Sequence, residues 1–216
     1  MSDKIIVIDY GMGNTKSVCR AIEKMGGKAL ISDNNEIISK SKKLILPGVG
    51  SFASGMNEIK KKQLDKSIKL ALSNGAYLFG ICLGMQLLFN KSDENGPVDG
   101  LNLLEGEVKK IPIYNDNKLM RKIPHIGWNK IFNQNGNSWD TIFLKNIKTG
   151  TFFYFVHSFM AIAKNQSDVI AYCDYLGINI PSVINRDRVF GTQFHPENSG
   201  PDGLKIYKNF ILKNVG

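Results

Sequence analysis

Ala76-Tyr77-Leu78-Phe79-Gly80-Ile81-Cys82-Leu83-Gly84-Met85-Gln86-Leu87-Leu88-Phe89 runs from one hydrophobic pattern into another. Residues 76–81 form an unbroken apolar run of strand length, as expected for a strand buried on both faces of a parallel sheet. Residues 83–89 read as a helix that follows with no linker. A cysteine stands at the junction, with a glycine two positions to either side. This is the cysteine version of the strand–turn–helix nucleophile elbow. A projecting nucleophile needs a tight turn, and the glycines remove the side chains that would obstruct it.

The chain before this segment repeats the same alternation. Residues 4–9 read as a strand ending in Asp9-Tyr10-Gly11-Met12-Gly13-Asn14, where Asn14 suits a helix N-cap. Residues 15–25 follow as a helix with Val18, Ala21, Ile22 and Met25 on one face. A strand at 29–31, a short helix at 35–40, a strand at 43–46 and a helix at 64–72 come next. Such alternation predicts a parallel sheet with helices on both faces. Right-handed crossovers then bring the carboxyl ends of the strands to one edge, where ligands bind in such sheets.

The later half differs. Residues 90–106 read as a loop, 108–111 as a strand, and 115–129 as a polar loop containing Pro124-His125-Ile126-Gly127-Trp128. From 151 the pattern becomes all strand, at 151–156, 159–163, 169–173, 181–185 and 189–194, closed by a helix at 203–213. No Pro-, Gly- or Ser-rich linker and no repeat interrupts the chain. The expectation is an α/β fold in one domain spanning 1–216. Its mixed, mainly parallel sheet has helices on both faces and an antiparallel extension in the C-terminal half.

Composition narrows the functional classes. The 216 residues are 43% hydrophobic and 22% charged, as in soluble globular domains and unlike disordered or collagen-like chains. No apolar run approaches the ~20 residues that span a bilayer, and the N-terminal run is too short for a signal peptide. A cytoplasmic protein without membrane contact is expected. Three cysteines without a CxxC pair provide neither a disulfide framework nor a zinc site, so no metal is expected. The net charge of +9 comes from scattered lysines rather than a basic patch interleaved with aromatics, which argues against nucleic acid. There is no Walker A loop, and Gly11-Met12-Gly13 lacks the third glycine of a dinucleotide fingerprint. No cofactor is expected.

A lone cysteine is usually a packing residue, which is how Cys19 and Cys173 read. Cys82 differs because of its elbow. The helix starting at Leu83 is expected to aim its amides and positive dipole end at the sulfur, and the Leu83 amide to face a developing oxyanion. A thiol also needs a base. His195 lies at the end of an apolar strand in Gln193-Phe194-His195-Pro196-Glu197, with Glu197 placed to hold its second nitrogen. Gly48, Val49 and Gly50 follow a neighbouring strand at the same edge, where their backbone can approach a substrate carbonyl.

These segments resemble the class I (triad) glutamine amidotransferases over nearly the whole chain. The elbow and His-Pro-Glu are shared by that class. Pro124-His125-Ile126-Gly127-Trp128-Asn129 and Tyr154-Phe155-Val156-His157-Ser158-Phe159 are similar to the subfamily that serves imidazole glycerol phosphate synthase. The resemblance implies that Cys82, His195 and Glu197 hydrolyse glutamine to glutamate and ammonia. It implies that Leu83 and Gly48–Gly50 hold the oxyanion, and that Gln86, His157, Ser158 and Phe159 bind the glutamine. Ammonia would pass through a channel to a (β/α)8-barrel synthase subunit in a heterodimer, serving histidine biosynthesis. Asn14, Trp128 and Asn198 would face that partner. Asn198 stands where the subfamily usually has a basic residue, and Phe159 where tyrosine is common. A paralogous subunit supplying ammonia for surface-sugar amidation, a free-standing amidase or peptidase, and an inactive scaffold are the other readings.

Overall fold

The computed structural model describes residues 4–114, 120–133, 139 and 141–213. In chain order the first half gives β1 (Lys4–Ile8), α1 (Thr15–Lys24), β2 (Lys28–Ser32), α2 (Asn35–Ser39), β3 (Lys43–Leu46), α3 (Phe52–Lys61), α4 (Leu64–Ser73), β4 (Tyr77–Ile81) and α5 (Leu83–Gln86). The second half gives β5 (Phe89–Ser92), β6 (Val98–Asp99), β7 (Leu104–Lys110), β8 (His125–Lys130), β9 (Phe152–His157), β10 (Phe159–Ala163), β11 (Val169–Asp174), β12 (Asn179–Arg186), β13 (Val189–Thr192) and α6 (Gly200–Leu212).

The central sheet has the order β11-β12-β13-β4-β3-β1-β2. The five strands from β13 to β2 run parallel, while β11, β12 and β13 pair antiparallel. The mixed α/β class and its antiparallel extension are therefore as read. Side chains alternate across β1: Ile6 and Ile8 join a core with α3 and α4, whereas Ile5 and Val7 join one with α1 and α6. Each helix buries its apolar stripe on one sheet face, such as Val18 and Ile22 of α1 or Tyr207 and Phe210 of α6. Among the described residues no helix is long and apolar enough to cross a membrane.

Four readings are corrected. The helix expected at 83–89 is a single turn, because Phe89 pairs instead with Leu104 in a second sheet of order β10-β7-β5-β6. The loop expected at 90–106 holds most of β5 and all of β6. Its Leu104 begins β7, which starts four residues before the strand expected at 108–111 and ends at Lys110. The polar loop expected at 115–129 lies outside the described residues at 115–119. Its 125–129 portion is β8, paired antiparallel with β9. Consequently 151–156 and 159–163 do not extend the main sheet: β9 belongs to that ribbon and β10 to the second sheet. Helix α3, to which the sequence reading assigns nothing, begins at an Ser51 N-cap and buries Phe52, Met56 and Ile59.

Candidate active site

Cys82 leaves β4 with φ 52 and ψ −110, a backbone region that side-chain-bearing residues rarely enter. The flanking glycines make this possible. A Cβ on Gly84 would stand 1.8 Å from the Leu46 carbonyl oxygen, and one on Gly80 would stand 2.7 Å from the Gly84 carbonyl oxygen. The elbow is thus pressed against the end of β3. Its other side is tied to β13, where the Cys82 amide donates to the Thr192 carbonyl at 2.7 Å. The register sets Thr192 beside Ile81, so residues 193–195 leave the sheet at the same edge as the elbow.

That exit delivers the base. His195 Nδ1 lies 2.8 Å from Glu197 Oε1, and Tyr207 donates its hydroxyl to Glu197 Oε2 at 3.2 Å. The carboxylate holds a proton on Nδ1 and leaves Nε2 as the nitrogen that exchanges a proton with the site. The Ser199 hydroxyl donates to the His195 carbonyl at 2.6 Å, and the His195 amide donates to the Tyr154 carbonyl at 3.0 Å. Burial alone would push His195 down. The Cys82 sulfur and the Glu197 carboxylate outweigh it and raise the imidazole to about 10. Nε2 is buried and makes no well-formed hydrogen bond among the described residues, although Cys82 is close enough to act on the ring. Such catalytic contacts are commonly loose before substrate binds.

Cys82 and His195 line one cleft of about 270 Å³, at the small end of ligand sites. Val49, Gly50, Leu83, Gln86, His157, Ser158 and Phe159 line it too. Gly48 does not line it; it backs the elbow, where a Cβ would stand 2.6 Å from the Gly84 amide nitrogen. With α5 a single turn, the field at the sulfur is that of a few free amides rather than a long aligned dipole. Asn14 caps α1, accepting from the Ser17 amide at 3.2 Å, and is exposed. Asn198 is exposed in the turn after Glu197. Trp128 is on β8, 52% exposed, and meets Tyr154 edge-on. Among the described residues no cluster of three or more His, Cys, Asp or Glu side chains could hold a metal ion.

Two features escape the sequence reading. Glu94 lines the cleft and accepts the Phe52 amide at 2.6 Å, so α3 holds a carboxylate at the cleft wall. His125 and His157 face each other across the β8–β9 ribbon, with Nδ1 of His125 2.9 Å from Nε2 of His157. His157 Nδ1 reaches the Phe159 carbonyl at 2.7 Å, and the Asn129 amide group reaches His125 Nε2 at 2.7 Å. Burial lowers His125 to about 4 and His157 to about 3, so both remain neutral at pH 7.

The family Glutamine amidotransferase class-I matches residues 6–214. The chain is 41% identical over 206 residues to the imidazole glycerol phosphate synthase subunit HisH of Geobacillus thermodenitrificans, covering 95% of this chain and 93% of that one. It is 45% identical over 204 residues to the subunit of the same name from Caldanaerobacter subterraneus subsp. tengcongensis, covering 94% and 95%. With that of Bacillus subtilis it shares 40% over 204 residues, covering 94% and 93%. Among solved structures, one titled as a glutamine amidotransferase superposes with a TM-score of 0.71 at 18% identity, covering 95% and 96%. PurLQS from Thermotoga maritima superposes with 0.69 at 20% identity, covering 97% and 98%. Those structural matches bear on the fold alone.

Proposed function

The chain belongs to the class-I glutamine amidotransferase family, and from that premise we propose that it is the glutaminase subunit of an imidazole glycerol phosphate synthase. Cys82, His195 and Glu197 are its triad. The observation that carries this reading is a free cysteine on a strained elbow, sharing a cleft with a histidine whose other nitrogen is held by a buried glutamate.

The steps follow from the atoms. His195, raised to about 10, carries on Nε2 the proton that Cys82 has given up, and the sulfur attacks the glutamine side-chain amide carbon. The oxygen of the resulting adduct is stabilised by backbone amides of Leu83 and the Gly48–Gly50 segment. The imidazolium returns its proton to the departing nitrogen, ammonia leaves, and a γ-glutamyl thioester remains. Water, deprotonated by His195, then releases glutamate. Glu197 holds the imidazole through both transfers. Gln86 and the backbone of His157, Ser158 and Phe159 grip the substrate, and Glu94 takes its ammonium group.

The β8–β9 ribbon presents Ile126, Trp128 and Lys130 beside Val156, Tyr154 and Phe152 on its outer face. Ile126, Trp128, Phe152 and Val156 are all exposed there. Large apolar residues ordered on a strand face and bordering the cleft suit a docking surface. We assign this face, with Asn14 and Asn198, to the (β/α)8-barrel synthase subunit, which receives the ammonia through a channel and uses it in histidine biosynthesis. The whole chain acts as one amidotransferase domain in the cytoplasm. Relatives at 40–45% identity favour this acceptor over surface-sugar amidation.

Replacing Cys82 by alanine tests the proposal. Glutamine hydrolysis should vanish while partner binding persists, and the isolated wild-type chain should hydrolyse far more slowly than the complex. Retained hydrolysis in the variant excludes Cys82 from the chemistry.

A further inference from the structure

Gln193 is wholly buried, has no part in the steps above, and uses both of its amide atoms within the site. Its orientation is fixed from a backbone atom outward. The Phe159 carbonyl can only accept, and it takes the Gln86 Nε2–H at 2.9 Å. Gln86 Nε2 also lies 2.9 Å from Gln193, so the atom it meets there is the acceptor Oε1. Gln193 Nε2 is therefore the atom 3.6 Å from Cys82 Sγ. A flipped Gln193 would oppose two amide nitrogens and turn a lone pair toward the sulfur.

The sulfur has a second neighbour of the opposite kind. The Val156 carbonyl oxygen lies 3.8 Å away and can only accept. It suits the thiol, whereas the Gln193 N–H suits the anion. Gln193 also stands two residues before His195, so the one chain exit from β13 delivers both the base and this donor to the sulfur.

Building on the amidotransferase reading, we propose that Gln193 is a positioning residue for the nucleophile. Its N–H holds the Cys82 sulfur once the proton has gone to His195. Its carbonyl locks Gln86 so that the Gln86 oxygen faces the substrate. The cleft wall at Gln86 is thereby an acceptor, matched to the N–H groups of glutamine.

The test uses the full chain with its synthase partner and two variants, Gln193→Glu and Gln193→Met. Gln193→Glu keeps an acceptor for Gln86 and removes the amide donor at the sulfur. Its kcat for glutamine hydrolysis should fall at least about tenfold, the scale of one hydrogen bond to a charged group, with KM within about twofold. Gln193→Met loses both contacts, so kcat should fall and KM should rise. Alkylation of Cys82 by iodoacetamide without glutamine should slow about tenfold in both, at one fixed pH. Wild-type kcat and alkylation rate in either folded variant overturn the proposal. Failure of both variants to fold would show a purely structural residue and also overturn it. Absence of Cys82-dependent hydrolysis in the wild-type complex would instead defeat the amidotransferase reading itself.

Discussion

Replacing Cys82 by glycine and, separately, by alanine converts the elbow's backbone strain into a measurable difference. Both substitutions delete the same sulfur contacts, so comparing them isolates the main chain. At φ 52 and ψ −110, alanine must hold a conformation that costs a side-chain-bearing residue about 1–3 kcal/mol. Glycine does not incur that strain, but loses about 0.5–1 kcal/mol through the extra freedom of its unfolded chain. At the middle of these ranges the balance makes Cys82→Gly more stable than Cys82→Ala by about 1 kcal/mol. A difference near 1 kcal/mol raises Tm by about 2–4 °C in a chain of this size. Urea unfolding followed by circular dichroism would read it as a shifted midpoint at constant m-value. At an ordinary strand or helix position the order is reversed. An alanine variant as stable as the glycine variant would refute the claim that the nucleophile is held under strain.

Other consequences are equally direct. His125 and His157 have folded values of about 4 and about 3 against 6.5 unfolded, so the unfolded chain takes up protons first as pH falls. Their contribution is fully present above 6.5 and is lost as pH drops toward 4 for His125 and toward 3 for His157. At pH 5 the loss amounts to about 2 kcal/mol for each ring. His125→Asn should lose less stability than wild type between pH 7.5 and 5, and parallel stability curves would contradict this. Gly84→Ala places a Cβ 1.8 Å from the Leu46 oxygen, so it should destabilise by at least the upper end of about 1–3 kcal/mol and abolish hydrolysis. A variant melting within a degree of wild type would show that β3 does not brace the elbow. Glu197→Gln should lower kcat by about 10²–10⁴-fold with KM little changed, because the His195 tautomer is no longer fixed. Steady-state kinetics with unchanged kcat would remove Glu197 from the triad.

What the sequence revealed divides along the distance between interacting residues. Cys82 and its two glycines are contiguous, and His195 and Glu197 are two residues apart at a strand exit, so their arrangement could be read locally. The parallel core likewise follows from alternating apolar runs. Helix α5 could not be measured this way, because Leu87-Leu88-Phe89 suits a helix as well as a strand. Non-local pairing of Phe89 with Leu104 decides it. Glu94 lies in a stretch read as a loop, and nothing local marks it because its partner amide, Phe52, is 42 residues away. β8 was hidden for a different reason. Its alternation places His125 inward and Ile126 and Trp128 outward, the inverse of a usual strand, so it resembled a polar loop. The same inversion produces the buried histidine pair and the exposed apolar face.

The central claim, that one sulfur of three performs glutamine chemistry, is tested most directly by an electrophilic glutamine analogue and mass-spectrometric mapping of the adduct. The account predicts a single modification at Cys82, suppressed by excess glutamine, with Cys19 and Cys173 unmodified. Modification of Cys19 or Cys173 instead, or labelling of Cys82 that glutamine does not suppress, would contradict it.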